Sequence, residues 1–122
     1  MTDATSPDND VFQQIVGEQL SGVTFVMDYI QLQFNPPPTI SVYTPIVVFS
    51  HGEFVRSGDD QFRNRLCEQI TKIVKSVGVV PGDALKITFQ DASVIAASLK
   101  ESDYRCAEAI NFQGRGNRWT VI

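Results

Sequence analysis

The stretch DDQFRNRLCEQITKIVKSV (Asp59–Val77) is the one on which the arrangement of the whole chain turns. Phe62, Leu66, Ile70, Ile73, Val74 and Val77 recur at intervals of mostly three and four, the period that lines up one face of an α-helix. Arg63, Arg65, Glu68, Gln69, Lys72 and Lys75 occupy the remaining sides. Acidic residues lead the segment and lysines close it, as the helix dipole prefers. The spacing predicts a long helix over 59–77, ended by Gly78 and the Pro81-Gly82-Asp83 turn.

On either side the period shortens to two. Ile30, Leu32 and Phe34 alternate with Gln31 and Gln33, and Leu85, Ile87 and Phe89 alternate in the same way. One face buried and one wet is the mark of antiparallel strands. Met27–Asp28 reads as a turn, and the prolines at Pro36–Pro38 remove donors, so no central strand continues through them. IQLQF–NPPPT–ISVY is echoed by LKITF–QDAS–VIAASL, which suggests a pseudo-repeated sheet. Near the start, Ser6 suits a cap, Pro7 the first helical position, and Gly17 a stop after Phe12, Ile15 and Val16. AEAINF and RWTVI form a closing hairpin about Gln113–Asn117, with Trp119 sealing the sheet.

The fold expected is a single α+β domain over 8–122 behind a flexible N-terminus, 1–7. Its antiparallel, strongly twisted sheet of about six to eight strands, open or curled into a partial barrel, is packed by one long helix, with a short N-terminal helix beside it.

Composition narrows the function. The chain has 122 residues, 43% hydrophobic and 20% charged, the balance of a globular domain. Its net charge of −4 argues against a whole-surface nucleic-acid footprint, which needs a basic field. No apolar run approaches the ~20 residues that span a bilayer. The polar opening MTDATSPDNDVF is unlike a secretion signal, so the cytoplasm is the expected compartment. Cys67 and Cys106 stand outside metal-type spacing and read as small buried hydrophobes.

Catalytic signatures are lacking. His51 is the single histidine, near Glu53, Asp59 and Asp60, and reads as a turn residue before Gly52 rather than a metal ligand or base. Neither cysteine has a histidine nearby in sequence, and there is no GxSxG or phosphate-binding glycine loop. No catalytic residue, metal or cofactor is expected. Glu108 reads as a solvated strand carboxylate. The strongest binding candidate is GRGNRW, in which Arg115, Arg118 and Trp119 offer two cations and an aromatic face.

The order IVGEQL, YIQLQF…ISVY, LKITF.DAS.I, then Y…AEAINF……WTVI resembles small uncharacterised bacterial domains, some of them thought to be immunity proteins of contact-dependent toxin systems. The chain departs from that pattern with DAS where a glycine turn is usual and with NPPPT in the first hairpin. The resemblance implies a non-enzymatic protein-interaction module, with a toxin as one kind of partner. Exposed strand edges make a second copy of the chain another partner. The alternative is a small-ligand or nucleic-acid binder using Arg115, Arg118 and Trp119.

Overall fold

The computed structural model of the protein describes residues 7–122. Ser6 and the terminus before it lie outside the described residues. Pro7 opens a short helix, α1 (Pro7–Phe12), which tightens into a 3-10 turn over Gln13–Ile15. Gly17 ends it at φ 84, and Phe12 and Ile15 are fully buried. The N-terminal helix and its glycine stop are therefore where the residues placed them.

The long helix is not formed. Only α2 (Phe62–Cys67) is helical, with Phe62 and Leu66 inward and one turn apart. The chain leaves the helical region at Thr71, φ 86, and Val74–Val80 is an extended strand. Ile73, Val74, Val77, Val79 and Val80 are β-branched and so favour a pleated surface over a helix. The helical spacing of Val74 and Val77 has its own cause. A bulge between Val74 and Ser76 inserts one residue into the ladder, which returns both valines to the buried face. An interval of three in a bulged strand thus imitates an interval of three on a helix.

The chain is mostly β, not α+β with one packed sheet. The ten strands among the described residues are β1 (Gly22–Val26), β2 (Tyr29–Gln33), β3 (Thr39–Val42), β4 (Ile46–Ser50), β5 (Glu53–Arg56), β6 (Val74–Val80), β7 (Ala84–Phe89), β8 (Val94–Ser98), β9 (Ile110–Gln113) and β10 (Trp119–Val121). They form two antiparallel five-stranded sheets, in the orders β1-β2-β3-β9-β10 and β5-β4-β8-β7-β6. Buried side chains of both sheets and both helices join in one apolar core.

The two sheets are built alike. In each, a three-stranded meander (β1-β2-β3 or β6-β7-β8) is extended by a hairpin that belongs to the other half of the chain (β9-β10 or β4-β5). The registers correspond: Val42 faces Ile110 and Ile40 faces Phe112, as Ala97 faces Ile46 and Ile95 faces Val48. α1 lies against β6 and β10, and α2 against β1, β4 and β5, so each helix closes one side between the sheets. The segments entering the meanders pair with each other across the fold. Leu20 N–H donates to Lys72 O and Thr71 N–H to Leu20 O, both near 2.9 Å. The two hairpins of the echo, β2-β3 and β7-β8, hold matching places, and so do the segments before them: Gly17 N–H donates to Val74 O as Thr71 N–H does to Leu20 O, and Leu20 N–H to Lys72 O as Val74 N–H does to Glu18 O.

Because each meander takes two strands from the other half, neither half can complete a sheet alone. Fragments 1–57 and 58–122 are expected to be unfolded separately and to regain β-type circular dichroism and one cooperative urea transition when mixed. A fragment that unfolds cooperatively by itself would show that the halves are independent.

Candidate functional site

The inner face of the first sheet runs past the cover of the core at the β1–β2 end. Phe25 pairs with Ile30, and Ile30 with Val42, so the three form one row on the inner face. Val42 is buried and Ile30 half-buried, whereas Phe25 at the edge is 40% exposed. Phe62 and Arg63 of α2 and the Ser57–Gly58 loop stand opposite, leaving a groove of about 450 Å³. The Arg63 guanidinium lies 5.8 Å from the centre of the Phe25 ring, a cation–π contact that holds the two walls together.

Beyond this row the hairpin tip is apolar and bare: Val26 is 41% and Met27 92% exposed. A two-residue turn puts both side chains where no other element covers them. Tyr29 and Tyr43 stack across neighbouring strands at 5.1 Å on the rim. Burial, with the nearby Glu108 carboxylate next in importance, pushes the Tyr43 phenol above its ordinary value, so it stays neutral and able to donate. Glu108, expected as a solvated strand carboxylate, is half-buried just before β9. Arg105, from the connection between β8 and β9, completes the rim. Among the described residues, neither Arg63 nor Arg105 is within ion-pair reach of a carboxylate. With Asp28 the groove holds two guanidinium groups and one carboxylate, against a chain of net charge −4.

The opposite end carries a polar cluster. His51 is in the β4–β5 turn, as expected, at φ 53, and its Nε2 lies 3.0 Å from Glu68 Oε1. Lys72 Nζ is 2.8 Å from Asp91 Oδ2, and Arg65 binds Glu53 at 2.7 Å. Gln69 is fully buried; its Nε2 donates to Arg65 O, and the Ser93 hydroxyl lies 2.8 Å from its Oε1. The Ser50 hydroxyl is buried at this end with no hydrogen-bond partner among the described residues. Among them, no three His, Cys, Asp or Glu side chains are grouped to hold a metal. The hydrogen bonds from Lys72 and then Ser93 hold the Asp91 carboxyl well below the usual carboxylate range.

The arginines of GRGNRW lie together but turn back onto the fold. Arg115 Nη1 is 3.4 Å from Glu18 Oε2, and its Nη2 donates to Gln14 O at 3.1 Å. Arg118 is 3.5 Å from Asp10 Oδ2. Both therefore tie the closing hairpin to the first helical segment. A Cβ at Gly114 would meet Gln14 Oε1 at 2.5 Å and the Phe112 ring at 2.7 Å, so a larger residue there must displace one or both. Trp119 does not seal the sheet; at 62% exposure it lies on the outside of an edge strand. Cys67 and Cys106 are exposed thiols, not buried hydrophobes, because Cys67 is on the outer side of α2 and Cys106 in the β8–β9 connection.

Phe25, Met27, Arg63 and Arg105 were not singled out by sequence reasoning. The signal was present as an uninterrupted apolar FVM at a hairpin turn, where polar residues are the rule.

Fold and groove together define a two-sheet antiparallel sandwich with an aromatic, cation-lined cleft. No protein-family model matches the chain, and no curated protein or solved structure matches it either. Among the described residues no helix is long and apolar enough to cross a membrane.

Two measurements check the polar end. Asp91 has a folded pKa below its unfolded one, so its contribution is present above about pH 4 and fades as pH falls towards the folded value. Asp91→Asn is expected to lower the urea midpoint at neutral pH, and to lower it by progressively less as the pH is brought below about 4. Ala92, at φ 75 in the β7–β8 turn, is strained by its Cβ. Ala92→Gly is expected to raise stability by about 0.5–1 kcal/mol, and a lowered midpoint would contradict this account of the turn.

Proposed function

We propose that the chain is a non-enzymatic protein-interaction module that receives its partner at the groove beside the β1–β2 hairpin. The observation that carries this is the exposed run Phe25-Val26-Met27 beside two arginines that have no carboxylate partner among the described residues. Aromatic, methionine and arginine side chains around a cleft are the composition of interface hot spots. Methionine adapts to irregular partner surfaces, and a guanidinium held over a ring is partly ordered before binding. The non-enzymatic part rests on the sequence, which carries no recognised nucleophile, metal-ligand or phosphate-binding motif.

Inhibition of a basic toxin draws on the overall charge of −4, whereas the groove itself is locally cationic and suits a different contact. Binding of a small ligand or nucleic acid at Arg115, Arg118 and Trp119 draws on the exposure of Trp119, since both arginines are already engaged by Glu18 and Asp10.

A photo-crosslinking residue placed at Met27, and at exposed Lys86 as control, tests the docking face in the cells that make the protein. One discrete product from Met27, absent from Lys86 and lost on Arg63→Glu, is expected. Equal labelling from both positions would overturn the reading.

A further inference from the structure

The two halves differ most where a meander hands the chain to the other sheet. Between β8 and β9 the connection runs from Leu99 to Ala109, whereas between β3 and β4 it is only Tyr43–Thr44–Pro45. The long connection begins by seating itself on its own meander. Leu99 is buried, and its N–H donates to Asp83 O at the β6–β7 turn at 2.8 Å. Two carboxylates follow on the next turn, Glu101 and Asp103, the second bonded to the Ser98 hydroxyl. The short connection provides none of this. Among the described residues it makes no backbone hydrogen bond to the β1–β2 turn, and it carries no carboxylate.

We propose that the partner segment is acidic: a short stretch of another protein in which an apolar anchor is followed within one turn by carboxylates. Its apolar anchor takes at the β1–β2 turn the place that buried Leu99 takes at the β6–β7 turn. Its anchor covers Phe25 and Met27, and its carboxylates meet Arg63 and Arg105. Charge complementarity selects this occupant over a basic peptide, and the chain's net charge of −4 disfavours a nucleic acid, whose many phosphates need a basic field. An acidic segment pairs two guanidinium groups that the fold leaves unpaired, and Asp28 on the same rim repels only a carboxylate placed at its own end. This inference rests on the docking face proposed above, and its test is separate from that one.

The probe is a peptide copying the chain's own connection, LKESDY (Leu99–Tyr104), with LEKSKY as its charge-altered control. Amide shifts of the folded protein are followed by NMR as each is added. LKESDY is expected to give saturable shifts confined to Phe25–Ile30, Tyr43–Thr44, Arg63 and Arg105, and to bind about ten-fold more tightly than LEKSKY. Arg63→Ala with Arg105→Ala is expected to weaken it by about ten-fold while leaving the far polar end unshifted. Equal binding of the two peptides, shifts centred elsewhere, or no saturable shift would each overturn the acidic occupant. A Met27 crosslink to a partner through a basic segment, or to a second copy of the chain, would likewise overturn it while leaving the docking face in place.

Discussion

The pairing of β3 with β9 and of β8 with β4 is the constraint on which the rest depends. A three-stranded meander has an apolar face to cover and an unpaired edge that invites another strand. Here each meander's inner edge is paired by a hairpin from the other half, and the two sheets then cover one another's apolar faces. Ile40, Val42, Ile110 and Phe112 on one side, and Ile46, Val48, Ile95 and Ala97 on the other, are all buried as a result. The helices follow from the same arrangement. A two-sheet sandwich is open along both sides, and α1 and α2, each six residues long, suffice to close them. Phe12 meets Phe112 edge-to-face with ring centres 5.0 Å apart, which joins the first helix to a strand of the donated hairpin.

The pseudo-symmetry also explains where the two ends of the molecule differ. At the hairpin-turn end, Gln69, Ser93, Lys72 and Asp91 knit α2's exit to the β7–β8 turn, so its polar groups hold each other. The closing hairpin is held in its own way, by Arg115 and Arg118 on Glu18 and Asp10. At the crossover end one connection is long and the other short, and the groove lies beside the short one. Asp28 lines the same groove, yet among the described residues neither of its cations is within ion-pair reach of a carboxylate. An interaction surface here is a local consequence of unequal linkers between equivalent strands.

Much of this was legible in the residues, and the failures have physical reasons. The alternations at Ile30–Phe34 and Leu85–Phe89 were right because period two has few other interpretations once both flanks are turns. Pro7 and Gly17 marked the first helix because each acts through its own backbone, independent of distant packing. The long helix failed at Val74–Val77, where a bulge reset the face of the strand; a bulge is a property of pairing with β7 and leaves little trace in β6 itself. The groove was missed because Phe25 occupies an inner-face position whose exposure depends on how far the other elements reach over it.

By itself, then, the sequence determined the alternating strands β2 and β7 with their turns, the short first helix, the echo between the two hairpins and the absence of a recognisable catalytic motif, but neither β5 nor β6. Those are local properties, set by periodicity, by proline and glycine backbone limits, and by residue type. The tertiary structure alone decided that the strands divide into two sheets, that β4 and β9 exchange places, that Arg115 and Arg118 meet the carboxylates of Glu18 and Asp10 at the surface, and that Arg63 and Arg105 meet none among the described residues. Each of these depends on contacts between residues far apart in the chain, and no local pattern records which distant strand or charge a residue will meet.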